Sequence, residues 1–164
     1  DVLTTNLTEA SILTGIPYEG QDVSVEFVQK NASALLDMGA KTVVIKGIVH
    51  GDEPIIRNYL ASAAEGGQVE EVSSELLPYM LHGEGMDTVE VHNEYVPYLL
   101  HGTGDLFASA LTAAIYTGRT TREAVDFAGD LVRDAMRITR EQPDFEMRGV
   151  SFEPTLGKVA ALLA

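Results

Sequence analysis

The sequence predicts an α/β fold with a mostly parallel central sheet flanked by helices. Three observations carry this expectation. A short apolar strand at Val2–Thr5 is followed, further on, by an amphipathic helix over Val23–Met38. A continuous β-branched run then appears at Lys41–Gly47, the pattern of a strand buried in a parallel sheet. Finally, the glycine turn Gly102-Thr103-Gly104-Asp105 opens directly into a long helix-periodic segment.

Composition narrows the function classes. With 164 residues, 45% of them hydrophobic, the chain has room for one domain with a real core. Its 11 basic side chains stand against 25 acidic ones, a formal charge of −14. Such a chain is a poor partner for nucleic acid or an anionic membrane, and no Lys/Arg cluster offsets this. Neither partner is expected. There is no cysteine, so there is no disulfide framework and no thiol chemistry, in keeping with a cytoplasmic location. No apolar run reaches the ~18 residues of a membrane-spanning helix. Asp1 opens inside what reads as a strand, so the chain is expected to be the later part of a longer protein.

The elements follow in order. After the strand Val2–Thr5, Asn6 or Thr8 can cap a helix whose apolar residues are Ala10, Ile12 and Leu13, with Gly15 as its stop. Asn6 and Glu9 stand about one turn apart. Two oxygen-bearing side chains so placed can hold a hard cation, for magnesium typically through water. The same spacing also describes a capping arrangement with Glu9 in the first turn. On Val23–Met38 the buried stripe is Val25, Val28, Ala32, Leu35 and Leu36, and Gly39 ends it. Ligands of open α/β sheets bind beyond the carboxyl ends of strands, where Lys46 and Gly47 lie. Lys46 is thus placed to meet a phosphate, or is simply a solvated lysine after a strand. Ile55–Ser62 alternates weakly and is expected as a strand near the sheet edge, followed by a loop at Ala63–Gln68. Asn6-Leu7-Thr8 and Asn31-Ala32-Ser33 match the glycosylation sequon, which carries no weight without a secretion signal.

An internal repeat comes next. Glu71–Gly85 is echoed 19 positions later by Glu90–Gly104, with Glu, Val, Glu, Pro, Tyr, Leu, His and both glycines in register. Two copies do not make a solenoid, which needs three or more. A local tandem duplication accounts for them, and the second copy is the functional one, because Asp105 and a helix follow only there. The first copy, Pro78–Gly85 in particular, is expected to lie outside any phosphate site. A meander of similar strands is the alternative. The helix after the second copy carries Leu106, Phe107, Ala110, Leu111, Ala114 and Ile115 at helical spacing and stops at Gly118. Thr120 and Glu123 have the spacing of a capping box for the next helix. Its buried face is Val125, Ala128, Leu131, Val132, Ala135 and Ile138, up to Pro143. A short last helix is expected at Thr155–Leu163. His50, His82, His92 and His101 have no zinc spacing.

The turn at Gly102–Asp105 carries the chemistry. The first N–H groups of a helix lack internal partners, the dipole end there is positive, and glycines let an anion come close. An acid beside such an anion hole would repel a phosphate. Removing the proton from an alcohol that attacks the phosphate gives it a role. The plainer account is a turn in which Asp105 caps the helix.

The longer string, Gly102-Thr103-Gly104-Asp105-Leu106-Phe107 followed by small residues, resembles the signature of the ribokinase-like kinases. Within them it is most similar to the pyridoxal/pyridoxine/pyridoxamine kinase branch. Sugar kinases of the superfamily tend to carry Gly-Ala-Gly-Asp, and hydroxymethylpyrimidine kinases usually have Cys where Asp105 stands. Thr4–Glu9 resembles the Thr-Pro-Asn-x-x-Glu element of the family, with Thr5 in place of proline. Arg148–Pro154 resembles the segment closing many pyridoxal kinases. The resemblance implies a three-layer ribokinase-like fold, present here as its C-terminal portion, with residues 1–164 as the nucleotide-binding part. It implies ATP-dependent phosphorylation of the 5′-hydroxymethyl group of a B6 vitamer, with Mg2+ required. Asp105 would take the hydroxyl proton, and the N–H groups of Gly102, Thr103 and Gly104 would hold the transferred phosphoryl group. Asn6 and Glu9 would orient the magnesium–triphosphate, and Lys46 and Gly47 would lie against ATP. Homodimers are usual for the family, and the chain by itself is expected to be inactive. Pyridoxal kinases often carry Thr or Ser where Lys46-Gly47 stands, and hydroxymethylpyrimidine kinases Lys-Gly. A monovalent-cation site, possible in the family, would lack that hydroxyl here. Two other functions stay open: another ribokinase-like kinase, acting on hydroxymethylpyrimidine or a sugar, and a non-catalytic nucleotide-binding module.

Overall fold

The computed structural model describes residues 1–20, 23–49, 55–63, 69–71, 89–94, 100–147 and 149–163. The chain divides into two compact units, Asp1–His92 and Asn93–Ala164, each with its own packing.

The first unit is a sheet with two helices packed on it. Strand β1 (Val2–Asn6) runs into helix α1 (Leu7–Thr14), then α2 (Val25–Asp37), β2 (Thr42–Ile48) and β3 (Ile55–Ser62). Two further strands, β4 (Val69–Glu71) and β5 (Val89–Glu94), both pair with β3. β1 and β2 are parallel, with Asn6 opposite Lys46, joined by the expected helical crossover. The expectation of a mostly parallel sheet is corrected by the next two pairings, β2 with β3 and β3 with β4, which are antiparallel. The reason is chain length. Parallel neighbours need a crossover of a dozen or more residues, and the connections after Ile48 and Ser62 are too short for one. β3 is also not an edge strand: β2, β4 and β5 all bond to it, and Tyr59, Leu60 and Ala61 are buried.

Side-chain alternation explains the apolar run in β2. Val43 and Ile45 join Tyr59, Ala61 and the helix residues Phe27, Val28, Ala32 and Leu35 in one core cluster. Val44 and Leu60 point the other way and are buried as well. A strand buried on both faces must be apolar at every position. Each fully buried Leu, Val or Phe contributes about 1.5–3 kcal/mol relative to exposure.

Helix α2 begins at Val25, two residues later than its periodicity alone indicates, because Ser24 caps it by accepting the Phe27 N–H at 3.1 Å. Val23, just before the cap, and Val28 are both buried in the cluster, the arrangement of a hydrophobic staple. On α1 the buried residues are Leu7, Ala10 and Ser11, whereas Ile12 is 76% exposed and Leu13 is exposed too. Positions 7, 10 and 11 share a helical face and 12 and 13 do not. Asn31 is buried; its amide donates to the Phe27 carbonyl, and its Oδ1 accepts from the Thr14 hydroxyl, tying α1 to α2.

The second unit is helical. Helix α3 (Thr103–Tyr116) packs against α4 (Thr121–Arg140), which is followed by 3-10 turns at Phe145–Met147 and Glu153–Thr155 and by α5 (Leu156–Ala161). α3 buries Phe107, Ala110, Leu111 and Ala114. α4 buries Ala124, Val125, Ala128, Gly129, Leu131, Ala135 and Thr139. The small residues among them let two helices approach closely. Thr120 and Glu123 form the expected capping box. At the other end Lys158 of α5 pairs with Asp134 of α4, beside the Arg133–Asp130 and Arg133–Asp134 pairs.

Of the repeat, Glu71 lies at the end of β4 and Glu90 lies in β5. The rest of the first copy, including Pro78–Gly85, lies outside the described residues.

Candidate functional site

The predicted site residues fall into two local groups. Asn6, Glu9, Lys46 and Gly47 gather at the carboxyl ends of β1 and β2, within the first unit. Gly102, Thr103, Gly104 and Asp105 form the entry to α3, within the second.

In the first group Asn6 is the N-cap of α1 and Glu9 its third residue. The Asn6 Oδ1 accepts the Glu9 N–H at 2.8 Å, and the Glu9 Oε2 accepts the Asn6 N–H at 2.9 Å. This reciprocal box is the capping arrangement the spacing allows. Thr5 adds a third contact, its hydroxyl 3.2 Å from Glu9 Oε2 and 2.9 Å from the Asn6 carbonyl. The Asn6 N–H holds the Glu9 carboxyl below its ordinary pKa; burial opposes this, while the Lys46 charge and the Thr5 and Asn6 side chains reinforce it. Glu9 is therefore an ionised, exposed carboxylate. Such a group fits a hydrated magnesium ion, which keeps most of its waters and takes one or two carboxylates plus substrate phosphates.

Gly47 sits at a break in the β2–β3 register between Ile45 and Ile48, with φ 77°. A left-handed residue is what lets the strand bulge there. Its N–H donates to Asn58 Oδ1 at 3.1 Å, so that group is already engaged by the protein. Asn58, a buried residue of β3, has no signal in the sequence: its partner lies across the sheet. Lys46, half-buried, precedes the bulge.

In the second group the helix starts earlier than the sequence indicates. Gly102 is the N-cap, at φ 88°, and Thr103 and Gly104 are already the first two helical residues. The Gly102 carbonyl accepts the first helical bond, from Leu106 N–H at 2.9 Å. No side chain caps this end. The plain account in which Asp105 caps the helix is thereby corrected: Asp105 is exposed at the third helical position. The N–H groups of Thr103 and Gly104 thus belong to the unpaired donors of a helix start, and they lie in the same turn as the exposed Asp105 carboxylate. Behind the turn, Val150 N–H donates to the His101 carbonyl at 2.9 Å. Ser151 N–H donates to the Thr139 hydroxyl at 2.8 Å. Sequence patterning missed Thr139, which sits on the buried face of α4.

Among the described residues no three or more His, Asp or Glu side chains form a metal cluster. No helix among them is long and apolar enough to cross a membrane.

The fold is that of the ribokinase-like kinases. A structure assigned as a phosphomethylpyrimidine kinase from Bacteroides thetaiotaomicron, in a crystal form with pyridoxal, superposes with TM-score 0.77 at 25% identity, over 98% of this chain and 49% of that one. Pyridoxal kinase from Leishmania donovani in complex with ADP and ginkgotoxin superposes with TM-score 0.73 at 24% identity, over 98% of this chain and 47% of that one. Residues 1–148 match the family profile described as phosphomethylpyrimidine kinase, and the chain belongs to that family. Curated relatives carry both activities of the branch. The chain is 30% identical over 149 residues to the pyridoxal kinase PdxY of Actinobacillus succinogenes, covering 90% of this chain and 44% of that protein. It is 31% identical over 136 residues to the hydroxymethylpyrimidine/phosphomethylpyrimidine kinase of Haemophilus influenzae, covering 83% of this chain and 42% of that protein. The chain thus spans less than half the length of these relatives.

Proposed function

We propose that this chain is the nucleotide-side part of a kinase that transfers the γ-phosphoryl group of ATP to the 5′-hydroxymethyl group of pyridoxal, pyridoxine or pyridoxamine. One observation carries it: Asp105 and the free N–H groups of a helix start share a single glycine turn. In the transfer, the substrate hydroxyl oxygen bonds to the γ-phosphorus as the bond to the ADP oxygen breaks. Asp105 accepts the hydroxyl proton. The N–H groups of Gly102, Thr103 and Gly104 hold the charge on the transferred group. Asn6 and Glu9 would hold Mg2+ through water, which when bound neutralises charge on the triphosphate. Lys46 lies at the same strand ends, where it can meet the nucleotide phosphates. The neighbours with ADP and with pyridoxal support this choice of co-substrate and acceptor.

A second acceptor, hydroxymethylpyrimidine, is favoured by Lys46-Gly47 and by the Haemophilus relative. Asp105 in place of that branch's usual Cys favours the B6 vitamers.

The test is to incubate the protein carrying this chain with Mg-ATP and each alcohol in turn. The B6 vitamers should be phosphorylated fastest, and Asp105→Asn should lower kcat by at least ~10²-fold. Faster transfer to hydroxymethylpyrimidine would give the function to the second acceptor. Binding of Mg-ATP with no transfer to any alcohol would leave a non-catalytic nucleotide-binding module.

A further inference from the structure

Thr139 is a fully buried hydroxyl on α4 that the proposed chemistry does not use. It donates to the Ala135 carbonyl at 2.6 Å, and its oxygen accepts the Ser151 N–H at 2.8 Å. The Ser151 hydroxyl in turn donates to Gln142 Oε1 at 2.8 Å. The segment Gly149–Ser151 is thereby fastened to the end of α4. The residue before Ser151 then reaches the glycine turn, where Val150 N–H meets the His101 carbonyl at 2.9 Å.

That carbonyl matters because of peptide geometry. The His101 C=O and the Gly102 N–H belong to one planar, trans peptide unit, so they point in opposite directions. Holding the carbonyl toward Val150 aims the Gly102 N–H away from it. Gly102 is left-handed, with no side chain to restrain the rotation of that peptide. The contact is also tight. A Cβ on Gly149 would come within 3.3 Å of the His101 oxygen, while one on Gly102 would meet Val150 Cγ1 at an ordinary contact distance of 3.4 Å.

We propose that Thr139 is a positioning residue: through Ser151 and Val150 it fixes the His101–Gly102 peptide, and with it the direction of the Gly102 N–H donor. This rests on the proposed kinase function and adds to it a part played by the closing segment. Thr139 touches no reacting atom; it acts by keeping a donor aligned before the substrate arrives, where misplacement alone lowers rates.

The experiment compares wild type, Thr139→Val, which keeps the shape and removes the hydroxyl, and Thr139→Ser, which keeps the hydroxyl. Two quantities are read in the full protein: amide hydrogen exchange at Ser151, Val150 and Gly102 without ligand, and kcat and KM with ATP and the fastest alcohol. The valine variant should exchange Ser151 and Val150 N–H at least ~10-fold faster while the α3 and α4 interiors stay protected. Its kcat should fall about 10- to 100-fold, with KM for the alcohol changed far less. The serine variant should recover most of both. Faster exchange with unchanged kcat would overturn the proposal and leave the kinase function standing, as would unchanged exchange in a folded valine variant. A wild-type protein that phosphorylates no alcohol would overturn both together.

Discussion

Glu9 and Asp105 are both acids in the first turn of a helix, and what each carboxylate touches separates their roles. Glu9 accepts the N–H of its own N-cap, and its pKa lies below the ordinary glutamate value of 4.5. A depressed acid stabilises the folded state above its ordinary pKa, and that contribution disappears as pH falls through the lowered value. Glu9→Gln should therefore lower the unfolding temperature at pH 7, and the gap from wild type should narrow as the pH falls below 4.5. A gap independent of pH would mean that the carboxylate charge adds nothing to the cap. If Glu9 also serves the metal, the same variant should need more magnesium for half-maximal rate, with little change in the KM for the alcohol. Asp105, by contrast, has a cap residue that takes no side-chain bond. Asp105→Asn should cost only the helix-dipole contribution, about 0.3–1 kcal/mol, while the rate falls by ~10² or more. Thermal unfolding alongside kinetics separates the two, and a near-normal kcat would reduce the turn to an ordinary helix start.

At the scale of elements, caps decide where the helices begin. Thr120 accepts the Glu123 N–H at 3.3 Å, and Thr120→Ala should destabilise α4 by about 1 kcal/mol in denaturant unfolding. Gly102 starts α3 in a left-handed conformation, which costs a residue with a Cβ about 1–2 kcal/mol. Gly102→Ala should therefore lower stability by about that amount and disturb the turn against Val150 as well. The duplication acts at this scale too. β4 and β5 carry opening residues of the two copies and both pair with β3, and the second copy runs on into α3. Deleting Glu71–Val89 from the full protein should accordingly leave phosphotransfer in place; loss of activity in a folded deletion variant would assign the first copy a role.

At the scale of the whole molecule, the formal charge of −14 sets the response to salt. Like charges repel in the compact state, and screening shortens their reach from ~30 Å at 0.01 M salt to ~8 Å at 0.15 M. The unfolding temperature should rise between those two concentrations. A flat response would mean that local pairs such as Lys158–Asp134 already balance the repulsion. Salt should also ease the approach of an anionic nucleotide, so the KM for ATP is expected not to increase with moderate salt.

Local chemistry was legible in the sequence because it is carried by residues a few positions apart. The caps at Asn6 and Thr120, the helix stop at Gly15, the buried strand after α2 and the glycine turn before α3 all depend on contacts within a turn or two. The strand ladder β1–β2 followed from its crossover helix. Tertiary structure alone decided the rest. It placed Ser11 rather than Ile12 against the core, made β3 an interior antiparallel strand, gave the Gly47 N–H to Asn58, and brought Val150 to the His101 carbonyl. Each joins groups on different elements, and a one-dimensional pattern records which residues want burial or a partner, not which distant residue supplies it.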